Sequence, residues 1–178
     1  MKVLGLVGSP RKGGNTDLLV SAVLYGAGAS NHEIEKLFLY DVDISPCVDC
    51  CGCKKRTFHC VLKDGMKQLY PKLEEADFIV FGTPLYWYGP SAKMKLMLDR
   101  LRPYVASKKL KGKKGVLVVP SEEGAEACSC LVCMFEFSLK YLEMDFAGKI
   151  LAKASEKGAV KGQPKVLDEA FALGKALK

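Results

Sequence analysis

The run Gly8-Ser9-Pro10-Arg11-Lys12-Gly13-Gly14-Asn15-Thr16 gathers residue types that hold anions. Small residues let the backbone curl close to a ligand, and Ser9, Asn15 and Thr16 can donate side-chain hydrogen bonds. Arg11 supplies charge, and a helix capped by Asn15 or Thr16 would add free N–H groups and the positive end of its dipole. This is a phosphate cradle that needs no metal. A second run, Gly82-Thr83-Pro84-Leu85-Tyr86-Trp87-Tyr88-Gly89-Pro90, sets three consecutive aromatics between glycines, including the only Trp. Core packing accounts for one aromatic in such a loop. Three together suit stacking on a planar ring or packing against a neighbouring subunit.

Spacing excludes two other phosphate motifs. The glycines Gly8 and Gly13 fit a Walker A loop, but Gly14 and Asn15 stand where its Lys and Ser/Thr belong. A G-x-G-x-x-G dinucleotide fingerprint is absent too.

Cysteines form the third chemical group. Cys47-x-x-Cys50-x-x-Cys53 is followed by Cys60, with Cys51 as an extra. Three thiols at steps of three resemble the run that wraps a ferredoxin-type [4Fe–4S] cluster, closed by a later cysteine. Structural zinc usually shows two Cys-x-x-Cys knuckles farther apart, so zinc ranks second, with His59 as a spare ligand. Cys128-x-Cys130-x-x-Cys133 reads as small hydrophobes buried at the start of a helix. A disulfide scaffold does not fit a chain with its own core.

The elements that must position these groups alternate strand and helix. Lys2 to Gly8 reads as a buried strand, followed by a helix to about Ala29 and an edge strand at Glu33 to Tyr40. Asp64 can cap a helix whose Met66, Leu69, Tyr70 and Leu73 share one face. Asp77 to Gly82 is a buried strand, and Ser91 opens a helix bearing Met94, Met97, Leu98 and Leu101. Val116 to Val119 and Met144 to Leu151 are strands flanking a mostly helical stretch, Ala125 to Leu142. Pro164 begins a closing helix carrying Val166, Leu167, Ala170, Phe171 and Leu177. Five strands separated by helices predict an α/β three-layer sandwich with a parallel sheet of order 2-1-3-4-5. Ligands of such sheets bind at the carboxyl ends of the strands, where the loops after strands one, three and four lie. Residues 1–178 read as one domain with a cysteine-rich insertion at about 45–63.

The net charge of +7 sits largely in Lys108 to Lys114, which lacks the interleaved aromatics of a nucleic-acid platform and reads as a solvated loop. No nucleic-acid or membrane partner is expected. The longest apolar runs have strand length, and the N-terminus lacks a signal-peptide pattern. A cytoplasmic protein is expected.

Residues 4–16 and 77–101 resemble the NAD(P)H-dependent FMN reductase family of flavodoxin-like proteins. The resemblance implies that FMN phosphate lies on Ser9, Arg11, Lys12, Gly14, Asn15 and Thr16. It places the isoalloxazine along Thr83, Pro84, Leu85, Tyr86, Trp87, Tyr88 and Gly89, with the stretch Ser121 to Gly124 approaching it. It also implies a homodimer or homotetramer with the flavin near a subunit boundary, and NAD(P)H as a possible co-substrate. The cysteine spacing resembles the iron–sulfur flavoprotein branch, which implies Cys47, Cys50, Cys53 and Cys60 as cluster ligands, with Cys51 an alternative to Cys50.

No Ser-His-Asp or paired-carboxylate set stands out, so the cofactor would carry the chemistry. Three functions are expected to compete. The first is an iron–sulfur flavoprotein passing electrons between cluster and FMN and exchanging them with small-molecule or protein donors and acceptors. The cysteine segment leaves the same carboxyl rim as the flavin loops, which favours transfer. The second is an NAD(P)H-dependent FMN or quinone reductase without a cluster. The third is a zinc-binding or thiol redox-sensing module.

Overall fold

The computed structural model describes residues 1–55 and 58–178; residues 56 and 57 of the expected cysteine-rich insertion lie outside the described residues. The sheet comprises β1 (Lys2–Val7), β2 (Glu33–Phe38), β3 (Phe78–Gly82), β4 (Lys114–Ser121) and β5 (Asp145–Lys153). All pairings are parallel and the order is 2-1-3-4-5, as the sequence predicts.

The central strands are apolar through their interiors because both faces are covered. Leu4, Leu6, Ile79, Phe81, Leu117 and Val119 point to one face. There they meet α2 (Met66–Glu75), α3 (Ala92–Asp99), α4 (Arg102–Ser107) and α5 (Ser129–Tyr141). Val3, Val7, Phe78, Val80, Val116 and Val118 point to the other face, covered by α1 (Asn15–Ala29) and α6 (Pro164–Lys175). This period-two sorting is what makes three layers. α1 and α6 approach so closely that a Cβ on Gly174 would collide with the Val23 carbonyl.

Three local features depart from expectation. β4 and β5 run two residues beyond their predicted C-terminal ends, to Ser121 and Lys153. The edge strand stops at Phe38, where Leu39–Asp41 turns as a 3₁₀ segment. The apolar run after Ser91 breaks at Arg100, and Pro103 near its N-terminus starts the separate helix α4. The lysine-rich loop is solvated but also tied down. Lys108 and Lys111 reach Glu143, Lys109 reaches Glu74, and Lys113 donates to the carbonyls of Glu74 and Ala76.

Candidate functional site

The register sets the ends of β1, β3 and β4 side by side, pairing Val7 with Gly82 and Gly82 with Val118. The loops continue that ladder: Gly8 N donates to Gly82 O at 2.7 Å and Thr83 N to Val118 O at 2.9 Å. The Ser91 hydroxyl caps α3 by accepting from Met94 N and donates to Gly8 O. The start of the cradle is therefore bolted to β3 and α3.

Within the cradle, Gly13 adopts φ +71°, which favours glycine, and Gly14 N closes a turn onto Arg11 O. Neither Asn15 nor Thr16 caps α1. Gly14 holds the capping position, and the Asp17 carboxylate reaches back to accept from Gly13 N at 2.7 Å. Lys36 pairs with Asp17 at 2.7 Å, so the acid does not oppose an anion unbalanced. The Asn15 amide binds instead to the loop after β5, donating to Glu156 O and accepting from Val160 N. Since Leu18 N is the first to bond back, to Gly14 O, the N–H groups of Asn15, Thr16 and Asp17 have no intrahelical acceptor.

These N–H groups stand at a cavity lined by Ser9, Arg11, Asn15 and Thr16 on one side and Pro84, Leu85 and Tyr86 on another. Ser121 of β4 lines it as well. Hydroxyls, helix-start N–H groups and a guanidinium, facing a largely apolar wall with one aromatic, fit a phosphate attached to a planar ring. Glu122, within the expected Ser121 to Gly124 stretch, lines the cavity too, whereas sequence reasoning did not find Pro120, Ala154, Ser155 and Lys157, which complete it. The polar turn Ser155-Glu156-Lys157-Gly158 at a strand's carboxyl end was the available signal.

Other expected residues are placed elsewhere. Lys12 turns away to pair with Asp41 at 2.6 Å, its ammonium over the Phe38 ring. Thr83 is fully buried, its hydroxyl accepting from Ser91 N and donating to Pro84 O. Gly14 forms the turn beneath the cavity rather than its lining, and Gly124 folds back on the Ser121 hydroxyl. Trp87, Tyr88 and Gly89 are absent from the lining. Tyr86 and Gly89 exchange two backbone hydrogen bonds around Trp87 (φ 50°) and Tyr88 (φ 60°). Two consecutive positive φ values match a type I′ turn, which favours Asn-Gly and strains an aromatic pair. Trp87 is 98% exposed at its tip.

The second pocket lies at the C-terminal end of α3. It is lined by Cys47, Cys50, Cys51, Cys53 and Cys60, together with Arg100, Arg102 and Pro103. The cysteine segment leaves the carboxyl rim as expected, yet its thiols open at Arg100, nine residues beyond Ser91. At helical rise that separates the two ends of α3 by about 13 Å. Cys47 and Cys50 are exposed, whereas Cys51, Cys53 and Cys60 are half-buried. Asp49, Cys51 and Phe58 all take positive φ, so the loop is sharply folded. Burial pushes the Cys53 thiol up, and Cys60 and Cys47 push it in the same direction. Among the described residues no three Cys, His, Asp or Glu side chains converge as a metal site. The donor set is thiol-rich and flanked by arginines, which suits an anionic cluster bound by soft ligands.

Beneath the pocket, Arg100 and Asp64 form a buried ion pair with side chains 1% and 4% exposed. Arg100 Nη1 donates to Asp64 Oδ2 at 2.5 Å and Nη2 to Oδ1 at 3.1 Å. Asp64 also accepts from Ser45 N and from Met66 N, the first N–H of α2, although Gly65 holds the capping position. Burial opposes ionisation of Asp64, but these hydrogen bonds outweigh it and hold the carboxyl below its ordinary range.

Of the second cysteine group only Cys128 is buried; Cys130 and Cys133 are exposed. The helical turn puts Leu131 and Val132 inward and the two thiols on the opposite face.

A parallel sheet of this order with an anion cradle after β1 defines a flavodoxin-like protein. Among solved structures, a flavone reductase superposes with TM-score 0.78 at 19% identity, covering 98% of this chain and 61% of that one. An NAD(P)H:quinone oxidoreductase from Methanothermobacter marburgensis superposes with TM-score 0.72 at 17% identity, covering 100% of this chain and 99% of that one. These likenesses are of fold. The chain belongs to the NADPH-dependent FMN reductase family, whose model matches residues 1–159. An iron–sulfur flavoprotein of Methanocaldococcus jannaschii is 38% identical over 128 residues, or 71% of this chain and 66% of that protein. One from Archaeoglobus fulgidus is 36% identical over 119 residues, or 67% of this chain and 54% of that protein. The matches thus span between half and two thirds of these relatives' own lengths. Among the described residues no helix is long and apolar enough to cross a membrane.

Proposed function

We propose that the chain is an FMN-dependent redox flavoprotein that passes electrons between a [4Fe–4S] cluster and FMN. The observation that carries this reading is the pairing of two chemically different pockets, one on the loops after β1, β3, β4 and β5 and the other at the C-terminal end of α3. Family membership and the names of the archaeal relatives support it.

FMN would supply hydride or single-electron chemistry when bound. Ser9 and Thr16, the N–H groups opening α1 and Arg11 would hold its phosphate. Pro84, Leu85 and Tyr86 would line its ring, with Ser121 closing the far side. Cys47, Cys50, Cys53 and Cys60 would bind the cluster, and Cys51 would remain outside its ligand set. The strained, exposed turn at Trp87 and Tyr88 supports a homodimer or homotetramer in which a neighbouring subunit covers these rings. NAD(P)H, other small molecules or carrier proteins would serve as donors and acceptors in the cytoplasm.

A second reading, an NAD(P)H-dependent FMN or quinone reductase without a cluster, is favoured by the family match over most of the chain. Flavin, iron and acid-labile sulfide per chain, measured on protein purified without oxygen and reconstituted, separate the two. About one FMN with about four iron and four sulfide supports the first reading. FMN without iron, with rapid flavin reduction by NAD(P)H, leaves the second.

A further inference from the structure

Arg100 carries a feature that the ion pair does not explain. Its Nη atoms are engaged by Asp64 and by Ser45 O, at 2.7 Å from Nη1, but its Nε is buried and has no hydrogen-bond partner among the described residues. A buried guanidinium N–H without an acceptor is costly, and native structures rarely leave one so. Arg100 lines the cysteine pocket, and Cys60 lies within its electrostatic reach. The side chain is held firmly, because Asp64 grips its head and Tyr70 Oη donates to its backbone carbonyl at 2.7 Å. The same pair fixes the root of the cysteine loop through both Ser45 N and Ser45 O.

We propose that Arg100 is the positioning residue of the cysteine pocket, its Nε–H donating to a cluster or thiolate sulfur and thereby raising the cluster's reduction potential. The proposal rests on the reading that this pocket holds an iron–sulfur cluster. Net charge, hydrogen bonds to sulfur and solvent exposure set such potentials; with Asp64 balancing its charge, Arg100 acts through its free donor, and its charge comes into play when Asp64 is removed. The nearby Arg102 is held differently, on the Tyr141 hydroxyl at 3.2 Å, and the acids lining the pocket, Asp49 and Asp99, are not Arg100 partners.

The test compares anaerobically reconstituted wild type with Asp64→Asn and with the double variant Asp64→Asn/Arg100→Gln. Both variants abolish the ion pair, and neither leaves a buried carboxylate facing a neutral partner. Cluster potentials are read by redox titration with electron paramagnetic resonance, FMN potentials by absorbance, and folding by thermal melting. Asp64→Asn, which leaves Arg100 unneutralised, should raise the cluster potential, and the double variant should lower it below wild type. The two should differ at least tenfold in the one-electron equilibrium, about 59 mV, with the FMN potential unmoved. Iron-loaded variants that shift in the same direction, or not at all, overturn the proposal while leaving the cluster reading intact. Wild type that retains no iron overturns both.

Discussion

The cradle at the start of α1 and the pocket at the end of α3 are built in opposite ways. In the cradle, backbone N–H groups fixed by β1, β3 and α1 stand beside the short side chains Ser9 and Thr16 and beside Arg11, and its acid, Asp17, already has Lys36 as counter-ion. In the cysteine pocket the donors are side chains on an irregular loop, fastened at its root by one buried ion pair. A phosphate can enter a site shaped before it arrives. A cluster would have to draw its thiols together, so its binding would also order the loop.

The largest effect that separates the two regions should come from Arg100→Met. It leaves Asp64 buried and unpaired, and should cost about 3–5 kcal/mol in denaturant unfolding. In the metal-free, FMN-bound protein the cysteine loop should become protease-sensitive while the first turn of α1 stays protected from hydrogen exchange. Next comes Ser9→Glu, which puts a carboxylate at the proposed phosphate position. FMN affinity measured by fluorescence quenching should fall about 100-fold, or about 2.8 kcal/mol, with riboflavin affected far less and iron loading unchanged.

A smaller gain is expected at the aromatic turn. Trp87→Asn with Tyr88→Gly relieves two left-handed aromatic residues and should raise the stability of the apoprotein by about 1–2 kcal/mol. Ring-flavin or subunit contacts should weaken in return, read as faster FMN release or as dissociation in sedimentation. The smallest effect is set by pH. The folded Asp64 carboxyl titrates below its unfolded value of about 4, so its stabilisation is complete above pH 4 and is lost as pH falls through the lower folded value. Asp64→Asn should therefore flatten the acid limb of stability measured by urea unfolding below pH 4.

What the sequence made legible follows the same division. Strand order and both apolar faces were readable because β1, β3 and β4 are continuous hydrophobic runs, and alternation sorts their residues between two cores. The cradle was readable because glycine, serine and arginine sit in consecutive order. Its far wall at Ala154, Ser155 and Lys157 was not, since it arrives from a strand 140 residues away. Lys12 looked like a phosphate ligand by adjacency, but the turn at Gly13 faces it toward Asp41 and Phe38. Spacing gave the cysteine run but not its location, because nothing local says that Arg100 and Asp64, 36 residues apart, meet beneath it. Cys130 and Cys133 were misjudged because the face a helical thiol takes depends on which neighbours the sheet claims, here Leu131 and Val132.

The most direct test is cross-loading: flavin and iron content of Cys53→Ala and Ser9→Glu, each reconstituted anaerobically beside wild type. Two independent sites predict that Cys53→Ala keeps about one FMN and loses its iron, while Ser9→Glu keeps its iron and loses FMN. Iron that survives Cys53→Ala, or wild type that never acquires iron, would contradict a cluster in the α3 pocket.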